Sequence, residues 1–193
     1  MVLASNNAAK LREMSMLMHG SAWELMAQAE LGVGAADEPH LTFIENALAK
    51  ARHASARTEM PALADDSGIC VDALNGAPGV FSARFAGDAA NDQSNNAELL
   101  LRLAGVTDRE AHYTCVLVAV RSADDAEPLI VDARWYGEIA QAPRGTGGFG
   151  YDPLFYLSNL GVTAAELDPA HKNRISHRGL AMQALATKLV GWG

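Results

Sequence analysis

Residues 63–87 read LADDSGICVDALNGAPGVFSARFAG. An apolar run from Pro61 to Ala64 predicts a strand that stops at Asp65 and Asp66. Ser67 and Gly68 come next, and a second apolar run, Ile69 to Val71, starts at once. Two adjacent carboxylates repel each other, and a simple turn needs only one Asp and a Gly. A pair at a strand end is better suited to a hard cation, or to one base held near a metal. The plain alternative is a solvated Asp-Asp-Ser-Gly turn. Against it stand Asn75-Gly76 and Pro78-Gly79, with Ser82, Arg84 and Phe85 directly after them. So much turn chemistry beside an acidic pair describes a shaped site.

Outward from this stretch, strand patterns alternate with helix patterns, so the chain is α/β. Met1 to Ala4 reads as a strand. Asn6 or Asn7 caps a helix from about Ala8 to His19, with Leu11, Met14, Leu17 and Met18 on one face. Met14, Met16, Met18 and Met26 read as core filler, and Ala22 to Ala27 as a strand. Residues 32–40 form a loop holding Asp37 and Glu38. Thr42-Phe-Ile-Glu45 is a capping box, and its helix turns Ile44, Ala47, Leu48, Ala51 and Ala54 inward. Asn91 or Asp92 caps a helix carrying Ala97, Leu100, Leu101 and Ala104, which Gly105 stops. His112 to Val120 and Leu129 to Ile139 predict an antiparallel pair, hence a mixed sheet. The last helix runs from about Ser176 to Val190, with Ala181, Ala184, Leu185 and Leu189 inward.

The 193 residues allow one domain with a sizeable core, and no repeat or linker divides them. A net charge of −8 argues against nucleic acid or an anionic membrane surface as the main partner. No apolar run reaches membrane length. MVLASNN leads straight into a strand, so no secretory leader is expected. Cys70 and Cys115 both lie in apolar runs and read as reduced core thiols of a cytoplasmic protein.

Helix N-termini favour acidic neighbours, and two here are basic instead. Ser5-Asn6-Asn7-Ala8-Ala9-Lys10 combines free backbone N–H groups, small residues and one lysine, which together make a phosphate cradle. At the last helix, Ser176 is followed by His177 and Arg178, with His171, Lys172 and Arg174 just upstream. The third unusual place is Pro143 to Asp152, PRGTGGFGYD, where four glycines surround Phe149 and Pro153 pushes Asp152 extended. An aromatic in such a loop is a plate for a flat ring, most simply a nucleobase. A cradle at 5–10, carboxylates at 37–38 and 65–66, a stacking loop at 147–152 and a basic patch at 172–178 together describe a nucleoside polyphosphate site with a divalent cation. Neither GxxxxGK[ST] nor an early GxGxxG occurs, so this is not a P-loop or a dinucleotide fold.

The motifs SNNAAKLRE, LTFIENALAKA, ADDSGICVDALNGAPGVFSARFAG, GGFGYDPLF and ISHRGLA resemble those of the inosine/xanthosine triphosphate pyrophosphatases, and the bacterial branch above all. The resemblance covers nearly the whole chain. It implies a single domain, 1–193, with a long mixed sheet in two lobes, flanking helices and a central cleft. It also implies a magnesium-dependent homodimer that hydrolyses deaminated purine triphosphates to the monophosphate and pyrophosphate. Matched residue by residue, Ser5, Asn6, Asn7, Ala8, Ala9 and Lys10 bind substrate, chiefly its phosphates. Asp66 is the metal-binding proton acceptor and Glu38 a second magnesium carboxylate. Ser67, Phe149, Gly150, Tyr151, Asp152, Lys172, His177 and Arg178 contact substrate. The residues alone do not separate Asp65 from Asp66. The motif match favours Asp66, with Asp65 supporting or replacing it. Lys10 and Lys172 are expected on the leaving group, and His177 and Arg178 as donors to a purine 6-oxo group. Asn6 stands where many relatives carry Gly.

Two rival readings fit less well. The septum-linked nucleotide pyrophosphatases share the general architecture, but GGFGYDP and SHRG argue against them. A nucleotide sensor without turnover does not need the full acidic set of Glu38, Asp65 and Asp66.

Overall fold

The structure is a computed structural model that describes residues 1–18 and 23–192. The elements in chain order are β1 (Val2–Leu3), α1 (Ala8–Met18), β2 (Met26–Ala27), α2 (Phe43–Thr58), β3 (Ala62–Val71), α3 (Asp92–Arg102), β4 (Glu110–Val120), β5 (Leu129–Ile139), β6 (Phe155–Leu157), β7 (Val162–Thr163), α4 (Pro169–Ile175) and α5 (His177–Lys188). The strands are hydrogen-bonded in the order β2-β1-β3-β4-β5-β6-β7. β1 is parallel to β2 and β3, while β6 is antiparallel to β5 and β7. The sheet is therefore mixed, as expected.

The chain divides into two compact units, and β3, β4 and β5 each supply residues to both. The first comprises residues 1–66, 115–133 and 178–193. β1 and this unit's parts of β3 and β4 are buried on both faces. Leu3, Leu63, Cys115, Leu117 and Ala119 pack with Met14 and Met18 of α1 and with Ala181, Met182 and Leu185 of α5. Val2, Ala62, Ala64, Val116, Val118 and Val120 pack with Ala47, Ala51 and Ala54 of α2. This split follows from the two-residue period of a strand, which sends neighbouring side chains to opposite faces.

The second unit, residues 67–114 and 134–177, has its own core. Ile69, Val71, Leu99, Leu103, Tyr113, Trp135, Ile139, Tyr151, Leu154 and Phe155 are all buried in it.

The helix starts agree with the sequence reading. Asn7 accepts hydrogen bonds from the N–H groups of Ala9 and Lys10, Thr42 from Glu45, and Asn91 from Ser94. Several expectations need correction. β3 does not stop at the acidic pair: it runs unbroken from Ala62 to Val71, because both carboxylates are met by cations. Lys172 and Arg174, just upstream of the last helix, lie in a short helix of their own, α4. Met16 is exposed, as is Ala184, and Ile44 is 46% exposed. The inner face of α3 is Asn95, Leu99 and Leu103, whereas Leu101 is 70% exposed. Asp152 sits within a run of turns that continues to Leu154 and does not close the loop. The strand expected from Ala22 to Ala27 is confined to Met26–Ala27, with residues 23–25 outside it, and Ala22 itself and the expected His19 end of the first helix lie outside the described residues.

Gly137 of β5 marks a close backbone approach in the second unit. A Cβ there would lie 2.6 Å from the Tyr156 carbonyl oxygen and 2.8 Å from the Phe155 ring. Backbone on the paired strand cannot move away cheaply. Gly137→Ala is therefore expected to lower stability by about 1–3 kcal/mol, as overpacking does, measured by urea denaturation.

Candidate functional site

In the first unit, the period of β3 explains how two adjacent carboxylates acquire different chemistry. Asp65 falls on the face of Leu63, towards α1 and α5. Its Oδ1 lies 2.5 Å from Lys10 Nζ and its Oδ2 3.3 Å from Arg178 Nη2. Arg178 Nη1 is in turn 2.5 Å from Glu13 Oε2. Burial opposes ionisation of Asp65, but Lys10, Arg178 and Lys50 outweigh it and hold the carboxyl far below the usual range. Arg178 is 2% exposed. Burial works against its charge too, and Asp65 and Glu13 keep it cationic.

Asp66 falls on the opposite face, towards α2. Its Oδ1 is 3.0 Å from Lys50 Nζ, and the same ammonium lies 2.9 Å from Glu38 Oε1. Burial pushes the Asp66 carboxyl up; Lys50 and Lys10 pull it down but do not overcome burial, and Glu38 adds to the rise. Its Oδ2 is buried with no hydrogen-bond partner, an expensive state for a carboxylate oxygen. A raised pKa and an oxygen left over are what a proton acceptor requires. Asp65, clamped between two cations, is not available for that work.

The same observations fit a divalent cation. One ammonium already bridges Glu38 and Asp66, so the two carboxylates face a common cation position, and Asp66 Oδ2 has coordination capacity to spare. Among the described residues, no cluster of three His, Cys, Asp or Glu side chains is assembled for a metal. Two carboxylates completed by water and phosphate oxygens are typical of magnesium and not of a zinc cage.

The phosphate-cradle segment, Ser5 to Lys10, is exposed or half-buried and leads into α1. Its Asn6 accepts a hydrogen bond from the Gln28 amide at 3.0 Å, so this side chain is tied down. Burial raises the pKa of both cysteines, which marks them as inert thiols.

In the second unit, Ser67 is the one position of β3 that is not buried. Phe149, Gly150, Tyr151, Asp152 and Lys172 come together around the glycine-rich loop. Asp152 Oδ2 accepts from Lys172 Nζ at 2.7 Å and from the Phe149 N–H at 2.8 Å. Lys172 Nζ also stands 5.0 Å from the centroid of the Phe149 ring, a cation–π distance. Gly148 has φ +72°, and a Cβ there would collide with the Asp152 carboxylate, so the clasp requires glycine. Tyr151 donates from its hydroxyl to the Ser82 carbonyl at 2.8 Å. His177 is buried and stacked on Tyr113, with centroids 4.5 Å apart and planes 6° from parallel. Lys172 is thus grouped with the aromatic plate. Arg178 is engaged by two carboxylates, and Arg174 is exposed.

A profile of the Ham1 family matches residues 1–188. The chain belongs to the Ham1 family. It is similar to the dITP/XTP pyrophosphatase of Burkholderia pseudomallei, 60% identical over 191 residues, covering 97% of this chain and 92% of that protein. It is also similar to the dITP/XTP pyrophosphatase of Nitrosomonas europaea, 57% identical over 188 residues, covering 97% and 93%. Among solved structures, a HAM1 protein from Coxiella burnetii superposes with a TM-score of 0.93 at 48% identity, covering 98% of each chain. The Staphylococcus aureus Ham1 protein gives 0.88 at 37% identity, covering 100% of this chain and 98% of that one. These matches give the Ham1 fold to the whole chain. No helix among the described residues is long and apolar enough to cross a membrane.

Sequence reading missed Lys50 and Glu13. Lys50 carried a signal: it interrupts the inward stripe Ala47, Ala51 and Ala54 of α2, where a solvated lysine has no place. Glu13 carried none, because its partner Arg178 is 165 residues away.

The two carboxylates predict opposite stability effects. A carboxyl held below its ordinary value of 3.8 stabilises the fold at neutral pH, and that contribution is lost as the pH falls below 3.8. Asp65→Asn, which strands Lys10 and Arg178, is expected to cost about 3–5 kcal/mol at pH 7, with a smaller difference from the parent in acid. Asp66 has a raised pKa, so its ionised form is a burden above 3.8. Asp66→Asn is expected to leave the denaturation midpoint unchanged or higher. Urea titrations of both variants across pH measure this.

Proposed function

We propose that this chain hydrolyses deaminated purine nucleoside triphosphates, the inosine and xanthosine nucleotides, to the monophosphate and pyrophosphate, and so removes them from the nucleotide pool. The observation that carries the proposal is Asp66: buried, raised in pKa, with one oxygen unpartnered, next to an Asp65 that is fully committed. Membership of the Ham1 family and the similarity to proteins named dITP/XTP pyrophosphatases support the substrate class.

The reaction is in-line attack of water on the α-phosphorus. Asp66 orients the water and takes its proton as the new P–O bond forms. The bond from the α-phosphorus to the bridging oxygen breaks, and pyrophosphate leaves. Lys10 and Lys50 sit beside the carboxylates and stabilise the charge that develops on the phosphate oxygens. Magnesium, held by Glu38 and Asp66, supplies further neutralisation of those oxygens when bound. Ser5 to Ala9 offer backbone donors to the phosphates, and Ser67 contacts substrate.

Phe149 stacks the purine, and Lys172 and His177 donate towards its 6-oxo group. Adenine presents a 6-amino donor there instead, and a site built to hydrogen-bond one group rejects an analogue lacking it. The working form is a homodimer in the cytoplasm, without a nucleic-acid partner, in keeping with the net charge of −8.

A pyrophosphate-release assay with inosine, xanthosine, adenosine and guanosine triphosphates in magnesium tests the proposal. The expected kcat/KM for the first two is roughly 10² or more above that for the last two. Equal rates with ATP would refute the base assignment and leave the phosphate chemistry standing. Asp66→Asn is expected to lower kcat by roughly 10² or more while KM stays within about tenfold. Excess chelator is expected to abolish turnover without loss of the folded circular-dichroism signal, since all three apolar cores form from side chains alone.

A further inference from the structure

We propose that α3 is a positioning element for the stacking ring of Phe149, acting through Asp92 and Asn96. Asp92 Oδ2 accepts a hydrogen bond from the Gly150 N–H at 2.7 Å. One turn further along the helix, Asn96 Nδ2 donates to the Gly150 carbonyl oxygen at 3.0 Å. Two side chains of one helix thus hold both polar groups of the residue that follows Phe149. On the other side, the Phe149 N–H is held by Asp152. The peptide groups around the ring are anchored, and Tyr151 adds a tie to Ser82.

Capping and core packing of α3 do not require these residues. Its N-terminus is closed by a reciprocal Asn91–Ser94 capping box, so Asp92 is not needed as a cap. Its hold on the core is through Leu99 and Leu103. Asn96 leaves its Oδ1 buried without a hydrogen-bond partner, a burden that an apolar residue would avoid. Asn95 behaves in the same way towards the neighbouring turn, accepting from the Ala86 N–H and donating to the Ala83 carbonyl. The inner side of α3 is thus fitted to the backbone of two loops. Stacking depends on where the plate stands, and small displacements of positioning groups reduce productive binding.

The proposal rests on Phe149 being the base plate, and the experiment separates the two ideas. Steady-state kinetics with inosine triphosphate and magnesium are measured on the full chain carrying Asp92→Ala, Asn96→Ala, both together, Asp92→Asn and Phe149→Ala. The double variant is expected to raise KM about tenfold with kcat within about threefold of the parent. Adding the pair to Phe149→Ala is expected to give no further rise. Asp92→Asn keeps an acceptor for the Gly150 N–H and is expected to restore KM to within about twofold. Hydrogen exchange at the Gly150 amide is expected to quicken in Asp92→Ala and not in Asp92→Asn. The proposal is overturned if exchange quickens while KM holds and Phe149→Ala still raises KM, because α3 is then only a brace. If Phe149→Ala leaves KM unchanged, the stacking assignment itself has failed and this inference falls with it.

Discussion

Two carboxylates placed side by side on a buried strand have to be compensated, and the first unit is arranged around that requirement. A strand sends consecutive side chains to opposite faces, so Asp65 and Asp66 are separated by the sheet although they are neighbours in the chain. On one face, Lys10 of α1 and Arg178 of α5 close on Asp65. On the other, Lys50 of α2 reaches Asp66 and Glu38 together. Unpaired, each buried carboxylate would cost several kcal/mol. The pairs also tie three helices to one strand at a single height.

The two pairs serve different ends. Asp65 is matched by two full cations and stays an anion. It acts as a fixed counter-charge that sets where Lys10 and Arg178 stand. Asp66 is matched less completely, and this is the part of the unit that looks adapted for chemistry instead of stability. Its carboxyl is raised by burial and its Oδ2 has no hydrogen-bond partner, the two properties that the proposed proton acceptor needs.

The second unit solves a different problem, holding one aromatic ring steady on an irregular loop. Loops that carry function need a rigid support. Here the support is built from side-chain hydrogen bonds to backbone: Asp152 to Phe149, Asp92 and Asn96 to Gly150, Tyr151 to Ser82. Gly148 makes room for the Asp152 carboxylate, and Lys172 completes the clasp while lying over the ring.

Local features were legible in the sequence. The caps at Asn7, Thr42 and Asn91, the span of β5, the mixed sheet and the glycine-rich loop follow from short-range rules of propensity and hydrogen bonding. The motifs carried the family. What the chain alone left open was everything fixed by partners distant in sequence. Asp65 and Asp66 could not be told apart, because what separates them is the sheet face each one meets and the helix packed there. β3 was read as broken, since an acidic pair looks like a turn until its cations are in view. The inner face of α3 was found only at Leu100, because Asn95 and Asn96 look solvated by composition, yet bind loop backbone. Lys50, Glu13 and the clamp on Gly150 depend on contacts across 16, 165, and 58 or 54 residues. Patterning sets which groups are buried. Only the packed structure sets which charge lies within 3 Å of which, and at that range the electrostatics of a buried group are decided.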